Sequence, residues 1–365
     1  MGEPVEDYFL RLPPEILEEI LLRLPPDEPA CLVRASAVCK AWRHILASAV
    51  FRNRYRDFHG TPVLGFVQEC AKFFPISALP TLPDASQWSS AALKALDCRH
   101  GLFLFDSFDQ YTAGDTVQFT VLDPLTGHGH RFPTPLNNRL LWYSAAVLCA
   151  AQACDHHGCQ GEDFHVVIVT TNDEERATLG WLYSSQTNTW TELATLLHPG
   201  IIKYTYVRGC PSILVGDALY FDSDRIIQYQ LRTLGLAMIE RSADAKGRLM
   251  TAEDGGLGFA TMVDVPNLTL WSMQTRLDGA VGWVKVRIID LTLPLPVLPI
   301  TTADDGISGV AEGGRIIFVS TRLGTYALNL KSKQARIVSG PRRKVFPYMR
   351  FYIPVMEAAC LDQGQ

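Results

Sequence analysis

The sequence predicts an α+β chain of two unequal parts. The first is a small three-helix head and the second a large all-β body, a β-propeller of five to six blades, with a β-sandwich or an open hairpin array as the alternative. Three observations carry this. Apolar residues recur at helical spacing between Leu12 and Phe51. From Val63 onward helical spacing gives way to short apolar runs cut by Gly, Pro, Asn and Asp turns, as a chain of antiparallel strands reads. Those runs recur in units of roughly 40 to 60 residues, the size of one blade, whose sheet buries both faces only when neighbours stack on it.

In the head, Ile16, Leu17, Ile20, Leu21 and Leu24 share one side of a helix of about three turns. Pro13 and Pro14 fit its first turn, where a missing N–H costs nothing, and Pro25-Pro26 ends it. A second helix is expected from Asp27 as N-cap, with Pro29 in the first turn and Leu32, Val33, Ala35 and Ala37 following. Val38, Trp42, Ile45 and Leu46 continue at helical spacing, with Lys40, Arg43 and His44 between them. A unit of about 40 residues buries too little surface to be comfortable alone. Its core is expected to be completed by another protein.

These residues carry a resemblance. Leu12-Pro13 followed by Glu15-Ile16-Leu17, then Ile20-Leu21, Arg23-Leu24-Pro25, Leu32-Val33-Arg34, Val38-Cys39-Lys40, Trp42-Arg43 and Phe51 resemble the F-box proteins. Asp97-Cys98-Arg99-His100-Gly101, the run from Ala252 to Phe259, and Val345-Phe346-Pro347-Tyr348 are similar to phrases of a large group of grass F-box proteins. The resemblance implies an adaptor whose helices dock on a Skp-type linker, and through it a cullin, while the remainder of the chain recruits a protein substrate. The partner-binding residues it implies are Leu12, Pro13, Ile16, Leu17, Ile20, Leu24, Pro25, Leu32, Val33, Val38, Cys39 and Trp42. That set mixes residues facing the partner with residues holding the helices together. The competing reading is a helical cap whose apolar faces pack on the rest of the chain.

The aromatic and basic run from Ala49 to His59, with Phe51, Tyr55 and Phe58, is expected to form one more helix leading out of the head, broken by Gly60 and Pro62. The expected domains are 8–52 for the F-box, 53–62 for a linker helix, 63–356 for the β body and 357–365 for a tail. One copy of the β repeat holds Leu102 to Phe105, Val117 to Leu122 and His130 to Pro133; a second holds Val166 to Val169, Leu179 to Tyr183 and Thr189 to Leu193. A third runs from Ile213 to Glu240, a fourth holds Leu257 to Ala260, Leu268 to Ser272 and Trp283 to Ile289, and a fifth runs from Ile307 to Val338. A sixth blade can be assembled from the two ends, with Leu64 to Val67 and Lys72 to Ser77 on one side and Val345 to Val355 on the other.

With 47% hydrophobic and 19% charged residues the chain reads as folded and globular. Its net charge is −5, and the short run Arg342-Arg343-Lys344 reads as a solvated loop, so nucleic acid is not an expected partner. The acidic start MGEPVEDYF lacks the basic and apolar regions of a secretory signal, and Glu6 stands where an acylation pattern wants Ser or Thr. The longest nearly uncharged apolar run, Ser144 to Ala153, falls far short of the ~20 residues that span a bilayer. No membrane is expected, and the protein is placed inside the cell, in cytoplasm, nucleus or both. Nine scattered cysteines fit reduced, buried thiols.

Chemistry-bearing clusters are few. Cys149, Cys154, His156, His157 and Cys159 are zinc-ligand types, but their spacing is not that of common zinc sites, so they read as a strand end and a loop. Cys149 is expected on an apolar strand with Val147 and Ala151. No nucleophile elbow, His-Glu-x-x-His pair or phosphate loop occurs, and Gly255-Gly256-Leu257-Gly258 reads as a tight hairpin. Asp304-Asp305 and Glu174-Glu175 read as solvated turn acids. No catalytic residue, metal or cofactor is expected. Trp181, Trp190, Trp271 and Trp283 are expected in blade cores; Trp88 and Trp142 stand in less regular sequence, where a binding face is the lesser of the two readings. Candidate substrate loops are 106–116, 154–163, 172–178 and 275–282. A propeller enzyme or carbohydrate-binding protein with accessory helices is the second functional reading.

Overall fold

The computed structural model describes residues 12–26, 28–68, 72–76, 93–107, 118–124, 126–135, 143–150, 163–172, 176–197, 211–223, 225–241, 247–262, 265–275, 281–297, 306–340 and 344–350. Contacts divide the chain into two compact units, one holding the helices and one the main body of sheets.

Four helices form the first: α1 (Pro14–Leu22), α2 (Pro29–Val38), α3 (Lys40–Ala47) and α4 (Ala49–His59). Pro13 and Pro14 open α1 as expected, and the Arg23 N–H closes it on the Ile20 and Leu21 carbonyls. The N-cap of α2 is Glu28, immediately before Pro29, and not the expected Asp27, which lies outside the described residues. Extended backbone at Cys39 and Ser48 separates α2, α3 and α4.

The fourth helix is the one expected over 49–59, and it packs with the other three. It runs unbroken through position 52, and its Phe51 and Tyr55, one turn apart, are buried with Leu21, Leu22, Leu32, Ala35 and Leu46. Leu24, Trp42 and Ile45 pack against this cluster. Tyr55 Oη donates to the Leu24 carbonyl at 2.7 Å, and His59 Nε2 donates to the Leu22 carbonyl at 2.7 Å. The two bonds satisfy carbonyls at the end of α1 that no further helical turn would reach. Arg54 on α4 pairs with Glu18 at 3.1 Å and with Glu19. The helices therefore enclose a core of their own.

The sheets form a six-bladed β-propeller. Five antiparallel blades have four strands each, in chain order: β3 (Leu93–Arg99), β4 (Leu102–Ser107), β5 (Gln118–Leu122), β6 (Gly129–Pro133); β7 (Tyr143–Cys149), β8 (Phe164–Asn172), β9 (Ala177–Ser184), β10 (Thr189–Leu197); β11 (Ile213–Val215), β12 (Ala218–Phe221), β13 (Ile226–Gln230), β14 (Leu236–Ile239); β15 (Arg248–Thr251), β16 (Leu257–Thr261), β17 (Asn267–Thr275), β18 (Val281–Asp290); and β19 (Ile307–Val310), β20 (Ile316–Ser320), β21 (Thr325–Asn329), β22 (Ala335–Ser339). The sixth takes β1 (Val63–Gln68) and β2 (Phe73–Pro75) from the start of the domain and β23 (Val345–Met349) from its end, in the order β2-β1-β23. Assembly of this blade from both ends follows the sequence expectation.

Period-two patterning explains the ring. In β7, Ala145 and Val147 pack on the first blade with Leu104 and Phe119, while Ala146 and Leu148 face the third with Leu219 and Phe221. In β15, Leu249 goes back to Ile213 and Tyr220, and Met250 forward to Ile317 and Val319. Phe66 of β1 lies 5.9 Å from the Phe318 ring, and Tyr348 of β23 stacks on Phe103 at 5.4 Å. These contacts close the circle. Each blade thus hides apolar residues on both faces, which a two-layer sandwich or an open array of hairpins would not require.

The third and fifth copies match all four strands of their blades. Three first strands, β3, β7 and β15, were missing from the expected copies. Left-handed backbone serves several of the turns, among them His100-Gly101 between β3 and β4 (φ 54° and 78°) and the β15–β16 hairpin with Gly255 at φ 82°, as expected for that glycine cluster.

Candidate functional site

Helix α1 divides its apolar residues between two faces. Leu21 and Leu22 turn into the helical core and Leu17 (5% exposed) is buried too, whereas Ile16 (48%) and Ile20 (37%), one turn apart, stay exposed. Pro13 precedes Ile16 by three residues and is exposed too. At the end of α2, Val38 is 56% exposed.

The twelve residues named from the sequence therefore separate. Leu32 belongs to the helical core, and Leu17 is buried. Pro13, Ile16, Ile20 and Val38 are exposed, and Leu12, Leu24, Pro25, Val33, Cys39 and Trp42 are half-buried, Leu24 and Trp42 being packed against the core. Exposed β-branched side chains on a helical unit whose core is already filled have no structural task within the unit. Val50 and Phe58 on α4 are exposed as well. Around α1 the charges are answered: Arg54 is held above its ordinary pKa by its hydrogen bond to Glu18, and Arg23 pairs with Glu19 at 3.3 Å.

In the propeller the sharpest constellation is one the sequence did not single out as a site. Asp97 and Arg99 on β3, Ser212 just before β11 and Glu312 just after β19 meet although they belong to three blades. Arg99 Nη1 donates to Asp97 Oδ2 at 3.1 Å and to Ser212 Oγ at 3.0 Å, Nη2 to the Ser212 carbonyl at 2.7 Å, and Nε to Glu312 Oε1 at 3.1 Å. The Val147 amide of a fourth strand, β7, donates to Asp97 Oδ2 at 3.0 Å. Burial pushes the Asp97 carboxyl up to about 6, with Arg99 and the Val147 amide pulling the other way. Burial first, and the Asp97 charge after it, holds the neighbouring Cys98 thiol well above its ordinary pKa, which leaves the network a structural role. It ties blades together.

The expected substrate loops lie largely outside the described residues, as do Trp88 and Trp142. Trp181, Trp190, Trp271 and Trp283 are half-buried against blade clusters as expected, Trp271 stacking on Phe259 at 5.3 Å. Cys149 ends β7 as expected, next to the apolar Leu148, while Cys154 through Cys159 fall outside the described residues. Among the described residues no three His, Cys, Asp or Glu side chains are grouped to hold a metal, and no helix is long and apolar enough to cross a membrane.

Residues 9–54 match the family model of the F-box domain. The chain is thus an F-box domain followed by a six-bladed propeller. No curated protein matches it. Among solved structures it is similar to TolB from Acinetobacter baumannii (12% identity, 86% of this chain and 72% of that one, TM-score 0.45). It is also similar to a chain of a nidogen/laminin complex (12%, 79% and 97%, 0.41) and to the β-propeller domain of the trilobed protease from Pyrococcus furiosus (6%, 67% and 70%, 0.35). Likeness of that degree bears on neither partner nor activity.

Proposed function

We propose that this chain is the substrate-recognition subunit of a Skp-cullin-F-box ubiquitin ligase acting inside the cell, with no catalytic residue of its own. The exposed residues of α1 and the end of α2 dock on the Skp-type linker, and the propeller holds a protein substrate. The mechanism is proximity: holding one protein beside a charged ubiquitin-conjugating enzyme raises the effective concentration of its reacting lysine.

The observation that carries this reading is an F-box domain whose helices fill their own core and still leave Ile16, Ile20 and Val38 in water. Apolar anchors at the centre of an interface typically cost ~2 kcal/mol or more each when lost. Replacing both isoleucines (Ile16→Glu, Ile20→Glu) touches no core residue, so the helices should stay folded. Capture of a plant Skp-type protein by the full chain should weaken about 100-fold or more. Affinity within about threefold of the wild type, with unchanged circular dichroism, removes this interface.

A further inference from the structure

Charge is unevenly spread along the propeller. From Gly306 to Lys344, which covers the fifth four-stranded blade, the sequence has eight Lys and Arg and a single acid, Glu312, although the whole chain carries a net charge of −5. Glu312 is already engaged with buried Arg99 at 3.1 Å. Several other cations of the propeller are paired, as in Arg225 with Glu240, Arg232 with Asp217 and Arg287 with Glu253. Among the described residues Arg315, Lys331 and Lys333 make no such ion pair, and all three are exposed.

They also share one edge. The β19–β20 and β21–β22 turns lie at the same end of the blade, and the Leu330 amide donates to the Arg315 carbonyl at 2.9 Å, so Arg315 and Lys331 are neighbours. The turn presenting the lysines is built: Asn329 Oδ1 accepts from the Lys331 and Ser332 amides at 2.9 and 3.0 Å, and the Lys333 amide donates to the Asn329 carbonyl at 2.8 Å. Ordered backbone lowers the entropy lost when a partner binds. Arg322, in the β20–β21 turn, has the same charge at the opposite end.

We infer that this edge of the blade, Arg315 with Lys331 and Lys333, is an interaction surface for an acidic polypeptide segment. The inference rests on the adaptor reading, for which it names the substrate chemistry: a run of Asp and Glu side chains. Charge complementarity of this kind steers encounter and selects partners. Nucleic acid fits less well, since the aromatic residues of this blade, Phe318 and Tyr326, are buried and offer bases no stacking surface.

The test uses the full chain and a fluorescein-labelled peptide of alternating Glu and Ser, with a Gln and Ser peptide and a duplex DNA as comparators. Wild type should bind the acidic peptide, more weakly as salt rises, and the triple variant Arg315→Glu, Lys331→Glu, Lys333→Glu should bind about tenfold or more weakly. Arg322→Glu should bind as wild type does. No binding of the acidic peptide, an equal loss in Arg322→Glu, or tighter binding of DNA than of peptide overturns the inference. Capture of the Skp-type protein, measured alongside, keeps the two readings apart. Capture with no peptide binding defeats only the basic surface, and peptide binding without capture defeats the adaptor.

Discussion

Replacing Arg99 by Met is the sharpest test of how the ring is held. The side chain is buried, and its loss strips four hydrogen bonds at once: those to Asp97, to Ser212 Oγ, to the Ser212 carbonyl and to Glu312. Asp97 keeps the Val147 amide and, at 3.3 Å, the Ser212 hydroxyl, while its Oδ1 has no hydrogen-bond partner even in the native protein. Removing one partner of a buried ion pair costs about 3–5 kcal/mol, because the other charge stays behind without compensation.

Asp97 makes the loss depend on pH. Its carboxyl rises from 3.8 to about 6 on folding, chiefly through burial, which corresponds to about 3 kcal/mol. A raised carboxyl contributes stability that is complete below its unfolded value of 3.8 and is lost as pH rises through 6. Arg99 opposes that rise. Without it the folded carboxyl titrates still higher, so the window of loss moves above 6, and the variant gains more on acidification than the wild type does. Urea unfolding followed by tryptophan fluorescence at about pH 8 and about pH 5 should show the deficit of Arg99→Met shrinking at the lower pH. An Asp97→Asn, Arg99→Met double variant should lose that pH dependence. A deficit below about 1 kcal/mol, or one equal at both values, refutes the account.

Two further outcomes follow from local geometry. Gly314, at φ 65° in the β19–β20 turn, would place a Cβ 2.1 Å from the Thr251 carbonyl oxygen, so Gly314→Ala must displace backbone between two blades. A fall in urea midpoint corresponding to about 2 kcal/mol or more is expected, and a wild-type midpoint would show that the turn yields freely. Tyr55→Phe removes only the hydroxyl that bonds the Leu24 carbonyl, leaving the ring in the core. It should cost about 1 kcal/mol in the helical unit, read from backbone hydrogen exchange in α1 and α4, and unchanged protection would rule the bond unimportant.

What could be read from the sequence follows the physics of burial. Outer and middle strands such as β13 and β21 alternate or end in Asn, Thr and Gly turns, and they were legible. The strands β3 and β15 were not, and β7 was legible only at its end around Val147 and Cys149, for different reasons. Residues 93–99, LKALDCR, carry three charges, two of which, Asp97 and Arg99, find partners in other blades, so the run looks too polar for a buried strand. Residues 143–149, YSAAVLC, are small and apolar on both faces, which erases alternation, and β15 is only four residues long. The same limit governs the helices. Ile16 and Leu17 are adjacent and chemically alike, and only the position of α4, whose Phe51 and Tyr55 sit among arginines, decides which of them is covered.

Closure of the ring sets when the proposed surface exists. β23 is the last described strand, yet it pairs with β1, so the blade that seals the circle is completed from the far end of the chain. Until it docks, Phe103 of the first blade lacks Tyr348, and β19 lacks the neighbour that approaches Gly309 so closely that a Cβ there would lie 2.4 Å from the Val345 carbonyl oxygen. Two sheet faces then stand open, and open apolar faces and edges invite wrong pairing. The basic turn at Asn329 to Lys333 belongs to the blade beside this seam. Its outer strand β22 is half-exposed, and its inner strand β19 is held in place by β23. The basic surface proposed above therefore sits on a blade whose inner strand gains its neighbour only when the ring closes.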